Sequence, residues 1–398
     1  MNKKLLKNFC AVFLAWFMAL LLFPQSAQAQ EKEAYVVKSS DQKTLTFYYD
    51  DQKSSRTGTV WGIEETKKDD DVVFPAWSGT NSTSESDVTT AVFDNSFKNF
   101  LPKTTKSWFC KFTNLEEIKG LENLNTSEVT TMSYMFFYCK KLSQLDLSNF
   151  NTEKVQDMSG MFTGCSSLTS LDLSSFNTEK VQDMGRMFAV CSSLTSLNLS
   201  SFNTEKVQYM HEMFWSCSSL TSLNLSSFNT EKVQYMHEMF YGSLSLTSLD
   251  LSNFNTKNVE YMGYMFGMCS SLTSLDLSNF NTEKVQDMSK MFINCGSLQT
   301  IYCNNTWTSA ESMQMFLFCE KLKGAVPYDA SKIDVSMANP ETGYFTKKES
   351  TGVTTVTTDG DASIQAIYST DGKRLNELQR GLNIVRMSNG TTQKILRK

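Results

Sequence analysis

At 398 residues the chain could hold two or three ordinary domains unless it is built from repeats. Its 37 basic and 42 acidic side chains leave a formal charge of −5 in mixed order, which gives no reason to expect nucleic acid as a partner. Two histidines in the whole chain leave little material for acid–base chemistry.

In chain order, Lys3, Lys4 and Lys7 precede an apolar run from Phe9 to Phe23, followed by "PQSAQAQ". Ala27-Gln28-Ala29 has the small-x-small pattern of a signal peptidase site, so residues 1–29 are expected to be a signal peptide cleaved after Ala29. The run holds about 15 apolar residues against the roughly 20 needed to span a bilayer. Cys10 lies at its start and not at its end, which argues against a lipoprotein anchor. Losing three lysines and no acids takes the charge from −5 to −8. The expected mature protein is exported, soluble and acidic, with no transmembrane span.

Residues 30–107 contain the strand-like runs "AYVV", "TLTFYYD" and "TAVFD" around a polar stretch and read as an N-terminal cap. From residue 108 to 322 the chain is periodic. Met-Phe recurs at 135, 161, 187, 213, 239, 265 and 291, and again at 315, with Trp108-Phe109 as a degenerate opening copy. Phe150, Phe176, Phe202, Phe228, Phe254 and Phe280 keep the same step, each followed by Asn-Thr. Around Leu168, Leu171 and Leu173, leucines alternate with small polar residues, the pattern of a short strand with one buried face. Val181, Met184, Met187, Phe188 and Cys191 follow at spacings of three, three, one and three, which predicts a helical stripe capped by Asn177-Thr178. One strand and one helix per 26 residues is the plan of an α/β leucine-rich-repeat solenoid, with short inner strands, helical outer segments and a continuous core shared between stacked units. Strands about 4.8 Å apart on one side and helices roughly 8–10 Å apart on the other would bend the array.

After Cys319 the pattern is lost, and 323–346 is expected to cap the far end. Residues 347–361, rich in Thr, Ser, Gly and Asp, read as a linker. Residues 362–398 alternate apolar and polar around "TDGK" and "SNG" and predict a small separate β segment.

The unit "SFNTEKVQDMSGMFTGCSSLTSLDLS" resembles the BspA-like leucine-rich repeats of bacterial surface proteins, a repeat also seen in Mycoplasma-type surface lipoproteins. The tail, in "IYSTDGKRL" and "GLNIVRMSNGTTQKIL", is similar to C-terminal sorting domains of the type IX secretion system of Bacteroidota. These resemblances imply a secreted or outer-membrane-attached protein, an adhesion role toward host matrix proteins or other bacteria, and surface sorting through the tail.

The candidate chemistry is thin. Cys110, Cys139, Cys165, Cys191, Cys217, Cys269, Cys295, Cys303 and Cys319 would follow signal cleavage. An exported protein invites disulfides, but equivalent positions on a helical face should exceed the ~7 Å Cα limit for a bridge. Buried free thiols are expected instead, with Ser243 standing in at one rung. His211 and His237, next to Glu212 and Glu238, share a register occupied elsewhere by Ser159, Gly185, Gly263 and Ser289. That register is expected to face outward with the histidines roughly 8–10 Å apart, too far to share a metal ion. Asp172, Asp250 and Asp276 are expected on a solvated polar face with no apolar lining to raise a carboxyl for glycosidase work. The Glu-Lys pairs at 153–154, 179–180, 205–206, 231–232 and 283–284, and "KKDDD" at 67–71, read as solvated charge. No catalytic set, metal site or cofactor is expected, and the protein is expected not to be an enzyme.

The rungs disagree most where Asp157 and Asp183 become Tyr209, Tyr235 and Tyr261, and where Thr163 and Ala189 become Trp215 and Tyr241. These rings, with His211, Glu212, His237 and Glu238, form a candidate ligand surface. Rings that lie against neighbouring rungs and fill gaps are the competing reading. The expected partners are protein ligands, or alternatively glycans, on host or bacterial surfaces; a secreted hydrolase is the more distant alternative.

Overall fold

The computed structural model describes residues 31–348, 364–370, 372–379, 381–388 and 390–397. The expected signal peptide and residues 349–361 of the expected linker lie outside them. The chain divides into two compact units with the boundary between Phe345 and Thr346.

The first unit opens with β1 (Glu33–Lys38), β2 (Thr44–Asp50) and β3 (Thr59–Gly62), then a hairpin of β4 (Thr66–Asp69) and β5 (Val72–Pro75), and β6 (Thr90–Phe93). β1 pairs antiparallel with β2 and β3, while β2, β6 and β7 (Glu117–Lys119) run parallel. The sheet order β3-β1-β2-β6-β7 therefore turns an antiparallel meander into the parallel stacking of the repeats. Phe47, Phe93, Phe97, Trp77 and Trp108 are buried where the two meet.

The repeats are a stack of 26-residue rungs, but the stack is β-rich and has no helical side. Among the described residues the helical segments are four 3-10 turns of three to five residues, none of them within the regular rungs. The reason is where the amides go. Met158, Gly160, Phe162 and Gly164 donate across to the carbonyls of Asp183, Gly185, Met187 and Ala189 in the next rung, at 2.8–3.0 Å. The intervening amides of Met161, Thr163 and Cys165 fold back three residues, onto Met158, Gly160 and Phe162, at 3.1–3.2 Å. An α-helix commits every amide to its own chain four residues back and leaves none for a neighbour. Here a residue in the left-handed region at every fourth position breaks the helical path: Arg186 and Val190, Glu212 and Ser216, Tyr264 and Met268 all have φ between 54° and 59°. A ribbon of successive tight turns, repeating every three to four residues, gives the same apolar spacing as a helix. The 3,3,1,3 pattern is thus satisfied by turns.

The ladder also lies on the other side from the one expected. Parallel bridges run Thr104–Thr131–Asp157–Asp183–Tyr209–Tyr235–Tyr261–Asp287–Glu311, at the start of the Met-Phe ribbon. Along the leucine side, regular strands are limited to β7 at the start of the stack and to the parallel pair β8 (Ser274–Asp276) and β9 (Thr300–Tyr302) near its end. Phe136, Phe162, Phe188, Phe214, Phe240 and Phe266 stack at 5.8 Å between successive rungs, whereas Phe150 and Phe176 are 6.5 Å apart.

Each rung is clasped to the next by small side chains. The buried Thr178 hydroxyl donates to the Asn203 carbonyl (2.9 Å) and accepts from the Asn203 amide (2.8 Å), and Thr152, Thr204, Thr230 and Thr256 repeat this. Asn177 accepts from the Glu179 amide at 3.0 Å, so the Asn-Thr pair shapes a turn and bridges rungs, where the sequence suggested a helix cap. Val181, Met184, Met187, Phe188, Cys191, Leu194 and their equivalents fill the interior.

The far end is closed by Trp307 packed on Phe280 (6.2 Å) and Phe345 (4.9 Å), with β10 (Phe345–Thr346) next to β9. In the second unit, β11 (Ile364–Tyr368), β12 (Arg374–Leu375), β13 (Gly381–Met387) and β14 (Thr392–Arg397) form an antiparallel sheet in the order β12-β11-β13-β14.

Candidate functional site

The three columns that differ between rungs stand side by side on the turn ribbon. Tyr209, Tyr235 and Tyr261 occupy the bridge column, and their rings stack at 5.1 and 5.3 Å, within 14° of parallel. Two residues on, the His211 and His237 rings stack at 5.1 Å and meet Tyr209 and Tyr235 edge-on at 6.4 Å. Trp215 stacks on Tyr241 at 6.5 Å, and Tyr241 meets Tyr264 edge-on at 5.7 Å. All nine candidate residues are half-buried.

The histidine expectation needs correction. The pair is about half as far apart as helical packing implied, because both sides of the rung keep strand-like spacing. Parallel stacked imidazoles aim their nitrogens alongside one another and not at a common point, and no cluster of three or more His, Cys, Asp and Glu side chains among the described residues is placed to hold a metal ion. The His211 ring lies against the Cα of Gly185, where a side chain on Gly185 would collide with it. Burial, then the neighbouring His237, pushes His211 down to about 4; burial lowers His237 as well. The His211 Nδ1 and the Trp215 indole N–H have no hydrogen-bond partner among the described residues.

The two glutamates divide. Glu212 receives Arg186 through Nε at 2.9 Å and a second nitrogen at 2.5 Å, a forked pair across adjacent rungs. Glu238 gains no such partner, and burial raises its carboxyl above the usual range. Beside the tyrosine column, Gln208, Gln234 and Glu260 with Lys232, Asn258 and Lys284 line an open cavity of about 400 Å³.

Two features of this surface were not singled out from sequence. Asp183 is pushed up to about 6, mainly by burial and further by Asp157 one rung away. The signal was present as two aspartates at one register of adjacent rungs. The Arg186–Glu212 fork was equally visible as opposite charges 26 residues apart.

The remaining candidates are scaffold. Each of Cys139, Cys165, Cys191, Cys217, Cys269 and Cys295 is a buried free thiol that donates to a phenylalanine carbonyl of the preceding rung at 3.0–3.2 Å. Ser243 makes the same bond to Phe214 at 2.9 Å. The distance argument against disulfides fails, since rungs here are close; what defines the thiols is burial and a carbonyl acceptor, and burial pushes Cys217 and Cys269 up to about 12. Asp172 and Asp250 are exposed and accept from the Ser174 and Ser252 amides, which holds both carboxyls below the usual range.

The family model described as "Mycoplasma protein of unknown function, DUF285" matches residues 103–223 and 217–328, together more than half of the chain. The chain belongs to this family. The matched span opens at the first rung of the parallel ladder and ends past the last one, so the family is the solenoid itself. No curated protein matches. Among solved structures, a leucine-rich repeat protein from Bacteroides ovatus ATCC 8483 is similar at 16% identity, with 73% of this chain and 92% of that one covered and a TM-score of 0.26. A TLR13–ssRNA13 complex is similar at 16% identity over 59% of this chain and 35% of that one, with a TM-score of 0.22. Superpositions this loose carry no weight for function. None of the described helices is long and apolar enough to cross a membrane.

Proposed function

We propose that this DUF285 protein is an exported, non-enzymatic surface protein of the BspA-like kind that acts as a protein-interaction or adhesion module through the side of its turn ribbon. The tyrosine column carries the reading. Asp157, Asp183 and Asp287 form the same parallel bridges as Tyr209, Tyr235 and Tyr261, so the backbone ladder does not require the rings. Three stacked, half-exposed tyrosines beside an open polar cavity are a rigid amphipathic surface of the sort that supplies binding energy at interfaces. His211 and Trp215 belong to the support of that surface, since both are wedged between rungs.

The test is capture of the full chain by host matrix proteins and by a second bacterial surface, alongside a Tyr209→Ala/Tyr235→Ala/Tyr261→Ala variant. Loss of capture with an unchanged unfolding transition supports the reading; equal capture by both chains rejects it. The amide- and carboxylate-lined cavity next to aromatic rings favours glycans as a second reading, and a glycan array run on the same two chains separates it.

A further inference from the structure

The two ends of the ladder are covered unevenly. In the penultimate rung, the amides of Met288 and Lys290 donate to Glu311 and Met313 at 2.8 and 2.9 Å. The equivalent amides of the last rung are those of Ser312 and Gln314, and neither finds an acceptor among the described residues. The carbonyl of Ala310 likewise has no donor. Further along the same rung the cap does its work: Phe316 donates to the Ile333 carbonyl at 3.0 Å and Phe318 to the Tyr328 hydroxyl at 3.1 Å. The open stretch, with a carbonyl at 310 and amides at 312 and 314, repeats the pattern by which every earlier rung grips its neighbour. Beside it stand the two most exposed large hydrophobic side chains among the described residues, Met313 at 66% and Phe318 at 52%.

A second copy of the chain does not fit this ledge. At the other end, Trp77 donates to the Trp108 carbonyl at 3.0 Å and Gly79 to the Cys110 carbonyl at 2.8 Å, and the Thr104 and Lys106 carbonyls have no donor among the described residues. Both ends are therefore capped over the same half of the rung. Two copies stacked in register would meet cap against cap, which would hold the open halves apart. Ile333, which accepts from Phe316, stands one backbone layer beyond the last rung, so a single added strand would continue that layer over the open stretch.

We propose that the ledge at residues 310–314 takes an extended peptide segment of a partner protein, paired parallel to it, with an apolar side chain seated on Met313. One peptide residue would donate to the Ala310 carbonyl and accept from the Ser312 amide; the residue two places on would accept from Gln314. Backbone pairing supplies affinity and the seat on Met313 supplies selectivity. This surface is the terminal edge of the turn ribbon, two rungs beyond Tyr261, and does not include the tyrosine column.

The probe is a displayed library of random decapeptides with one fixed central leucine, selected against the full chain, with enriched peptides then synthesised. Enriched peptides should bind the wild-type chain, and Met313→Asp should weaken them at least about tenfold. Hydrogen exchange of the wild-type complex should slow at the Ser312 and Gln314 amides, a readout that needs no variant. The Tyr209→Ala/Tyr235→Ala/Tyr261→Ala variant should bind these peptides unchanged, which separates this site from the proposed lateral one. No enrichment, equal binding by Met313→Asp, or protection elsewhere would overturn the proposal. So would a concentration-dependent dimer of the free chain that Met313→Asp abolishes, since a second copy would then hold the ledge.

Discussion

His211 and Asp183 pull stability in opposite directions with pH. His211 is held near 4 in the folded chain against 6.5 in the open, so between those values the unfolded chain binds the extra proton. Folding is therefore weakened as pH falls from 6.5 toward 4. Asp183 sits near 6 against 3.8, so the folded chain binds the extra proton in that window, and stability declines as pH rises through it. Replacing His211 with Gln should flatten the acid limb of a stability–pH curve by on the order of 1–2 kcal/mol, less than the full shift allows because the ring keeps some contact with water. Denaturant unfolding between pH 4 and 7 checks this; a variant curve parallel to wild type would count against it. The clasp threonines give a sharper test at neutral pH. Thr204→Val removes the buried hydroxyl that bonds both the amide and the carbonyl of the exposed Asn229, for a loss of about 1–2 kcal/mol. Conversely, Ser243→Cys should be within about 0.5 kcal/mol of wild type, because the other rungs carry a thiol in the same place on the same carbonyl.

At the scale of the element, the turn ribbon explains what the sequence could and could not reveal. Val181, Met184, Met187, Phe188 and Cys191 were recognisable as one buried stripe, and all are buried. Their spacing could not say whether a helix or a chain of turns carried it, since both return to the same face every three to four residues. The decision lies in backbone angles at Arg186, Val190, Glu212 and Ser216, residue types that do not favour the left-handed region. Gly160, Gly164, Gly242 and Asn294 hinted at it. The site fared similarly. The variable positions were visible by alignment of rungs, but their mutual distances depended on rung spacing, and the helix assumption nearly doubled it. Hydrogen exchange should report the difference directly: the amides of Met184, Arg186 and Phe188, locked to the next rung, should exchange far more slowly than those of Thr169, Ser170 and Asp172 on the leucine side.

For the whole molecule, the thiols give the simplest probe of integrity. The nine described cysteines should resist a thiol reagent in the native state and all react after unfolding, with no disulfide-linked peptides along the ladder. Partial native labelling would show that rungs open independently. Removing residues 323–345 would strip the covering from Trp307 and Phe316, and the truncated chain should aggregate, as expected for a solenoid that loses its cap.

Near-identical rungs pose a problem of identity. The cores of 202–225 and 228–251 are so alike that packing alone cannot tell one neighbour from the next, and a rung skipped during folding would bury almost the same surface. The irregular contacts resolve the ambiguity. The Tyr134 ring lies over Gly160, the Tyr138 ring over Gly164, His211 against Gly185 and Tyr241 against Gly267, and Arg186 forks onto Glu212. Each joins a large or charged side chain on one rung to a complementary site on the adjoining rung alone. They are labels by which interchangeable parts find their place in the order, so the departures from the consensus keep the count of the stack that the consensus builds.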